Sequence, residues 1–291
     1  MSTSKENFPT PKPFLRWAGG KRKLVPEILN NFPKNFDPKK HKFFEPFVGG
    51  GSLMLALGDP NSEYYVPGRN LVINDLNPDL ICTYKVLRDS PNKLISELEK
   101  IESHVTKKDY EYFRSLKTKT ELQTAVRFIY LNKTCFNGLW RVNSSGEFNV
   151  PWGKIKKPKL VDKENLFLVS RRLQGSKIIH GDYKKAVLKA KKNDLVYFDP
   201  PYIPLSETSS FAAYAKSGFS LNEQQELAEL ISILTSKGVY VILSNSDTPM
   251  TRKIFNKGLK LRTIEVRRSI SAQSSGRITV TEIIGSNEGK I

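Results

Sequence analysis

The 291-residue chain is 38% hydrophobic and 10% aromatic, enough apolar material to bury one or two ordinary cores. Its 47 lysines and arginines against 29 acidic residues leave a formal net charge of +18, which predicts a polyanionic partner. Nucleic acid ranks ahead of an anionic membrane, because no basic amphipathic helix stands out. Cys82 and Cys135 form no metal-ligand spacing with His41, His104 or His180, so no metal site is expected. No long apolar run predicts a membrane span, and the polar start Met1-Ser-Thr-Ser-Lys predicts no secretory leader. A reducing cytoplasm, with both thiols packed and inert, is the expectation.

In chain order the patterns predict a helix at 22–31, a strand at 42–45 and a helix-like run at 53–57, then a strand at 70–74 and a helix at 78–88. From about 78 to 174 the periodicity is mostly helical, ending in a Gly/Asn-rich stretch at 136–153 and a helix at 164–174. Strand and helix then alternate again: strand 177–180, helix 183–191, strand 195–199, helix 221–236, strand 239–244, helix 249–257, and strands at 259–266 and 278–284. Residues 203–218, rich in Ser, Ala and Gly, predict a mobile loop. This alternation is the signature of an α/β fold, here discontinuous over 1–78 and 174–291 with a helical insertion at 79–173.

Phe44-Glu-Pro-Phe-Val-Gly-Gly-Gly-Ser52 follows a predicted strand, and Gly49 and Gly51 let the backbone turn sharply and approach a ligand. The stretch lacks the spacing of either common nucleotide-binding glycine motif, and a plain turn also explains it. Asp75, at the end of the next strand, is placed to accept hydrogen bonds from a ribose diol, or to cap the helix at Pro78. Glu45 and Asp75 would repel phosphates, so the pair suits a cationic, nucleoside-like ligand such as S-adenosylmethionine. Asp182 in His180-Gly-Asp-Tyr183 can accept an adenine amino group while Tyr183 packs the base, or simply cap a helix. In Pro13-Phe-Leu-Arg-Trp-Ala-Gly-Gly-Lys21 the glycines and Lys21 are expected to open a helix, where a free amine can engage a carboxylate; Trp17 is otherwise a core residue.

Val196-Tyr-Phe-Asp-Pro-Pro-Tyr-Ile-Pro-Leu205 runs a buried strand into an acid and two prolines. Proline offers a carbonyl but no N–H, so the Asp199 carboxylate and the Pro200 carbonyl form an edge that only accepts hydrogen bonds. Such an edge suits an –NH₂ group. The nitrogen of an exocyclic purine amine is a poor nucleophile because its lone pair is delocalised into the ring. Two acceptors holding both hydrogens free that lone pair to attack a methyl sulfonium in line. Tyr202 would stack on the base, which must first be rotated out of a duplex. A Pro-Pro turn capped by Asp199 is the plainer alternative.

Taken together, residues 14–21, 44–52, 74–77, 181–183 and 199–202 resemble, in order, the motifs of the DNA adenine methyltransferase (Dam) family, and the resemblance covers nearly the whole chain. It implies a Rossmann-like, S-adenosylmethionine-dependent methyltransferase sheet with target recognition inserted between the cofactor motifs and DPPY. By that resemblance Trp17, Lys21, Asp75 and Asp182 contact the cofactor, with Glu45, Phe47, Gly49, Gly51 and Tyr183 beside them. Asp199, Pro200 and Tyr202 form the catalytic set. The most specific match is 131–153, where Ser144-Ser-Gly146 between Val142 and Phe148 reads as the turn of a short ribbon able to enter a groove. In the family this ribbon recognises GATC in double-stranded DNA. Arg141 then suits guanine, Leu139 a thymine methyl, Asn137 base edges or the orphaned partner base, and Lys154 the backbone. Phe136 suits a wedge in the stack, at a position where many relatives carry tyrosine, and Lys133 stands where arginine is frequent. Core roles for Phe136 and Leu139 remain open at this point, and residues 267–284 resemble the family's C-terminal hairpin less specifically. The resemblance implies a monomer acting on DNA in the bacterial nucleoid or a phage-infected cell, alone or paired with a restriction endonuclease. Other readings are a DNA-binding protein without turnover, or transfer to RNA adenine, cytosine N4 or a protein amide; DPPY favours adenine.

Overall fold

The computed structural model describes residues 9–155, 157–202, 219–269 and 277–288; the predicted loop at 203–218 and the tip of the C-terminal hairpin lie outside them. In chain order the elements are α1 (Val25–Asn30), β1 (Phe43–Glu45), α2 (Ser52–Ala56), β2 (Leu71–Asp75), α3 (Pro78–Asp89), α4 (Pro91–Ile101), α5 (Lys107–Ser115), α6 (Glu121–Thr134), α7 (Lys163–Leu173), β3 (Lys177–His180), α8 (Tyr183–Val187), β4 (Leu195–Phe198), α9 (Leu221–Ser236), β5 (Tyr240–Ser246), α10 (Pro249–Phe255), β6 (Lys260–Ser269) and β7 (Arg277–Ser286). Most strand pairings are parallel, giving the mixed α/β fold that the alternation of strands and helices predicts. The chain divides into two units: Met1–Arg22 with Val48–Gly181, and Lys23–Phe47 with Asp182–Ile291.

In the first unit β2 pairs in parallel with β3, Asp75 standing opposite His180. Leu71, Val72, Ile73 and Asn74 are all buried, the near-continuous burial of a strand covered on both faces. The next helix is capped by Asn77, whose Oδ1 accepts the N–H groups of Asp79 and Leu80, with Pro78 at the first helical position. The alternative of Asp75 as that cap therefore fails: its carboxylate sits one turn of backbone earlier, accepting the Asn77 N–H. Thr106 and Asp109 form a capping box at α5, and Thr120 caps α6. On α7, Arg172 is buried and donates to the Met54 and Val66 carbonyls, both at 2.8 Å.

The second unit orders its strands β1-β4-β5-β7-β6, the first three parallel and β7 antiparallel to both its neighbours. All residues of β1, β4 and β5 are buried. The first helix starts three residues later than its predicted start at 22, at Val25. Pro26 is the reason: it lacks an N–H and clashes with the carbonyl four residues back, so it is tolerated only in the first turn. Lys21 accordingly lies ahead of the helix and does not open it. The helix predicted at 183–191 stops at Val187 and tightens, with the Ala190 N–H bonded to the Val187 carbonyl. Among the described residues no helix is long and apolar enough to cross a membrane, and no cluster of His, Cys, Asp and Glu could hold a metal ion.

Candidate active site

The glycine loop of the first unit is built against Asp75 and Trp17. The Val48 N–H bonds the Asn74 carbonyl at 2.9 Å, and the Gly49 N–H bonds Asp75 Oδ2 at 3.0 Å. Asn77 occupies the other carboxylate oxygen, also at 3.0 Å, so backbone amides grip both ends of Asp75 while the residue stays half-exposed. Burial pushes its carboxyl above the ordinary range, against the pull of the Asn77 and Gly49 amides. Gly49 has φ +45°, and a Cβ there would stand 2.6 Å from the Trp17 indole nitrogen. A side chain is thus excluded twice over, by backbone conformation and by the ring lying on the loop. Tyr84 donates to the Gly49 carbonyl at 2.9 Å from below. Lys21 is buried, its ammonium donating to the Gly19 carbonyl at 2.8 Å. Trp17 is half-buried, its indole stacked over the loop.

In the second unit Phe47 packs on Tyr183 with centroids 4.9 Å apart and meets Phe219 edge-on at 5.7 Å, with Phe198 behind at 6.4 Å. Asp182 is exposed and does cap α8, its Oδ1 accepting the Lys184 N–H at 2.8 Å. The Tyr183 hydroxyl is buried without a hydrogen-bond partner among the described residues, and burial holds its proton on. Glu45 is buried at the end of β1.

The strand β4 delivers Asp199 beside Ser244 of β5, because the two strands pair with Phe198 opposite Leu243. The Ser244 hydroxyl donates to Asp199 Oδ1 at 2.9 Å. Its single hydrogen is thereby used, so at the 2.8 Å contact with Tyr197 it is the phenol that donates. Burial, followed by the Asp199 charge, holds the Tyr197 phenol far above its usual range, which keeps it a donor. Pro200 is buried. The Pro201 carbonyl accepts from the Gln224 amide at 2.9 Å, and Asn245 donates to that amide's oxygen at 3.2 Å. Tyr202 donates to Glu282 at 2.7 Å, and that acid is only 2% exposed. The segment Asp199–Tyr202 is therefore held at three points by polar side chains that the sequence reading did not single out. For Ser244 a signal is present: Ser244-Asn-Ser246 puts three buried polar residues at the end of an otherwise apolar strand.

The predicted ribbon forms between α6 and α7. Val142 and Phe148 bridge antiparallel, the Asn149 N–H bonds the Arg141 carbonyl at 3.0 Å, and Gly146 takes φ +74° in the turn. Phe136 and Leu139 are 47% and 39% exposed, which removes the core reading of both. Asn137 holds the left-handed conformation at φ +54° and is exposed. Lys154 does the same at φ +53°. The Arg141 guanidinium is exposed and rests on Asn149, with Nε 2.7 Å from Oδ1.

The model of the D12 class N6 adenine-specific DNA methyltransferase family matches residues 17–270. The chain belongs to this family. It is 40% identical to the type II methyltransferase M1.LlaDCHI of Lactococcus lactis subsp. cremoris, across 99% of this chain and 100% of that one. It is 36% identical to the type II methyltransferase M.MjaIII of Methanocaldococcus jannaschii, covering 91% and 95%. With the DNA adenine methylase of Escherichia coli the identity is 34%, covering 93% of each.

The D12 methyltransferase is thus an enzyme whose methyl donor is S-adenosylmethionine and whose substrate is DNA. The residues present fit that donor. In the first unit the Gly49 cradle is one that a Cβ would fill and Asp75 offers a fixed half-exposed carboxylate; in the second, the buried Tyr183 hydroxyl has no hydrogen-bond partner among the described residues. When bound, S-adenosylmethionine supplies an electrophilic methyl group on a sulfonium. The D12 chain brings Trp17, Gly49 and Asp75 into contact in the first unit, with Lys21 in the same turn as Gly19. In the second unit, Phe47 and Tyr183 share the aromatic cluster behind β4, and Asp199, Pro200 and Tyr202 follow that strand.

Proposed function

We propose that this D12 methyltransferase modifies N6 of adenine in double-stranded GATC, rotating the adenine out of the helix and into a DPPY pocket. The observation that carries the reading is the threefold anchoring of Asp199–Tyr202 by Ser244, Gln224 and Glu282. Anchored acceptors are what a reaction of an amine with little intrinsic nucleophilicity requires, since they cost no reorganisation at the moment of transfer. Asp199 and the Pro200 carbonyl accept the two amine hydrogens, and the N6 lone pair turns from the ring toward the methyl group. The bound cofactor would supply the methyl group, and the Asp199 carboxylate would take up the surplus amine proton. Tyr202 covers the base, offsetting part of the few kcal/mol, about, that extrusion from the stack costs.

Trp17, Lys21, Gly49, Gly51 and Asp75 of one unit, and Glu45, Phe47, Asp182 and Tyr183 of the other, are proposed as cofactor residues. The exposed Phe136, Asn137, Leu139, Arg141 and Lys154 are proposed to meet DNA, with 79–173 as the target-recognition domain and 1–78 with 174–291 as the catalytic one. The exposed apolar side chains of Phe136 and Leu139, in the turn ahead of the exposed Arg141, support that reading. The names of the Lactococcus and Methanocaldococcus relatives support a setting beside a restriction endonuclease. The enzyme is proposed to act as a monomer at the nucleoid of a bacterial cell or in a phage-infected one.

The mechanism is tested by Asp199→Ala. Tritium transfer from labelled cofactor to a GATC duplex should disappear while cofactor binding, followed by calorimetry, persists. Turnover retained in that variant refutes the role of Asp199.

A further inference from the structure

Asn132 is fully buried on α6, at 0% exposure, and its amide is engaged entirely with the backbone of two other segments. Oδ1 accepts the Arg16 N–H at 2.8 Å; Nδ2 donates to the Arg16 carbonyl at 2.7 Å and to the Gly138 carbonyl at 3.3 Å. Arg16 is the residue before Trp17, and Gly138 lies between Asn137 and Leu139 in the turn that opens the ribbon. The two segments also touch directly: Gly138 has φ +64°, and a Cβ there would stand 2.3 Å from the Arg16 Cβ.

A second set of contacts joins the same segments. Trp17 lies against Phe128 at 6.4 Å, Phe128 against Trp140 at 4.1 Å, and Trp140 against Phe148 at 4.7 Å between centroids. Phe128 and Asn132 are four residues apart on α6, hence neighbours on one face. An aromatic row and a saturated amide thus tie the indole that lies on the glycine loop to both strands of the ribbon.

We propose that Asn132 is a positioning residue that fixes the DNA-reading turn 136–139 to the segment carrying Trp17, so that cofactor occupancy sets how sharply the turn discriminates DNA sequences. The proposal rests on the reading above, in which Trp17 faces the cofactor and the turn faces bases. Its physical basis is that removing a buried amide with three backbone partners orphans groups on both segments at once, and each is costly to leave unpaired. The two segments then settle independently. Linkage requires the effect to be reciprocal: target DNA tightens cofactor binding by the factor by which cofactor tightens DNA binding.

The test uses the full-length protein and measures dissociation constants for a GATC duplex and for one with its first G·C pair replaced, each with and without saturating S-adenosylhomocysteine. In the wild type the cofactor product should raise the preference for GATC by about tenfold, and in Asn132→Ala that gain should shrink to about twofold or less. The preference is a ratio, so a smaller folded fraction leaves it unchanged, whereas displacement of the turn moves it. Phe128→Leu keeps the core apolar and should lower the gain as well, which carries the test if Asn132→Ala does not fold. A wild type whose preference ignores the cofactor, or variants that keep the full gain, overturn the proposal. Arg141→Ala separates the two failures. If it leaves the preference at the first base pair intact, the DNA-reading role of the turn and its ribbon is wrong; if it relaxes that preference while Asn132→Ala and Phe128→Leu keep the full gain, the positioning role alone is wrong.

Discussion

Ser244 has one hydroxyl proton, and it goes to Asp199. Tyr197 in turn donates to the serine, so a buried phenol and a serine together fix the rotamer of a half-exposed acid. Removing the serine should leave substrate binding in place and loosen the acceptor geometry. For Ser244→Ala we expect kcat to fall by at least about tenfold, the value of one hydrogen bond of about 1.5–3 kcal/mol to a charged group, with KM nearly unchanged. Ser244→Thr should restore most of the loss, and a proportional rise in KM would place Ser244 in binding instead. A second expectation concerns Asp75, whose carboxyl burial lifts above the ordinary carboxylate range. Only the ionised form accepts both hydroxyls of a ribose diol. Acidification should therefore weaken cofactor binding, starting above the pH of about 3.9 where an unperturbed aspartate protonates. In Asp75→Asn the affinity should be lower and flat over the same range; fluorescence titration of cofactor binding against pH decides. The proposed site residues legible in the sequence are those whose chemistry is local, such as Asp75, Asp182 and Asp199. Ser244, Gln224 and Glu282 were harder to find, because their contacts depend on tertiary placement: Phe198 opposite Leu243 places Ser244 beside Asp199, Ser246 opposite Glu282 seats that acid on the same sheet, and Gln224 reaches the Pro201 carbonyl from α9.

Among the elements, every predicted strand appears within two or three residues of its expected ends, since short runs of β-branched and aromatic residues between turn residues are a strong local signal. The region 78–174 was legible only as helical. Its division into separate helices comes from stops and caps that periodicity blurs: Pro91 after Ser90, the Thr106 and Asp109 box, and Thr120. The ribbon at 141–149 was readable from Ser144-Ser-Gly146, yet the sequence left open whether Phe136 and Leu139 face inward. Their exposure answers that, because it depends on tertiary neighbours and not on spacing. Arg141 rests on Asn149 through a contact that a guanine edge can replace without rebuilding the ribbon. Arg141→Ala should relax discrimination at the first guanine by about 1–3 kcal/mol, read as the ratio of kcat/KM on GATC and on a first-position variant. An unchanged ratio would remove Arg141 from base readout.

For the molecule as a whole, a net charge of +18 states only that a polyanion is near; it does not say what is done to it. The family match over residues 17–270 identifies the chemistry as N6 methylation of adenine in DNA, and the acceptor-only edge at Asp199 and Pro200 is where we propose it takes place. What remains particular to this chain is the target, which we propose is set by the exposed turn and ribbon. The central claim is tested most directly by methylating an unmodified plasmid with the purified protein and mapping modified bases along single molecules. N6-methyladenine at GATC and at no other motif is the predicted result; methylation of adenine in a different sequence, or of cytosine N4, would contradict it.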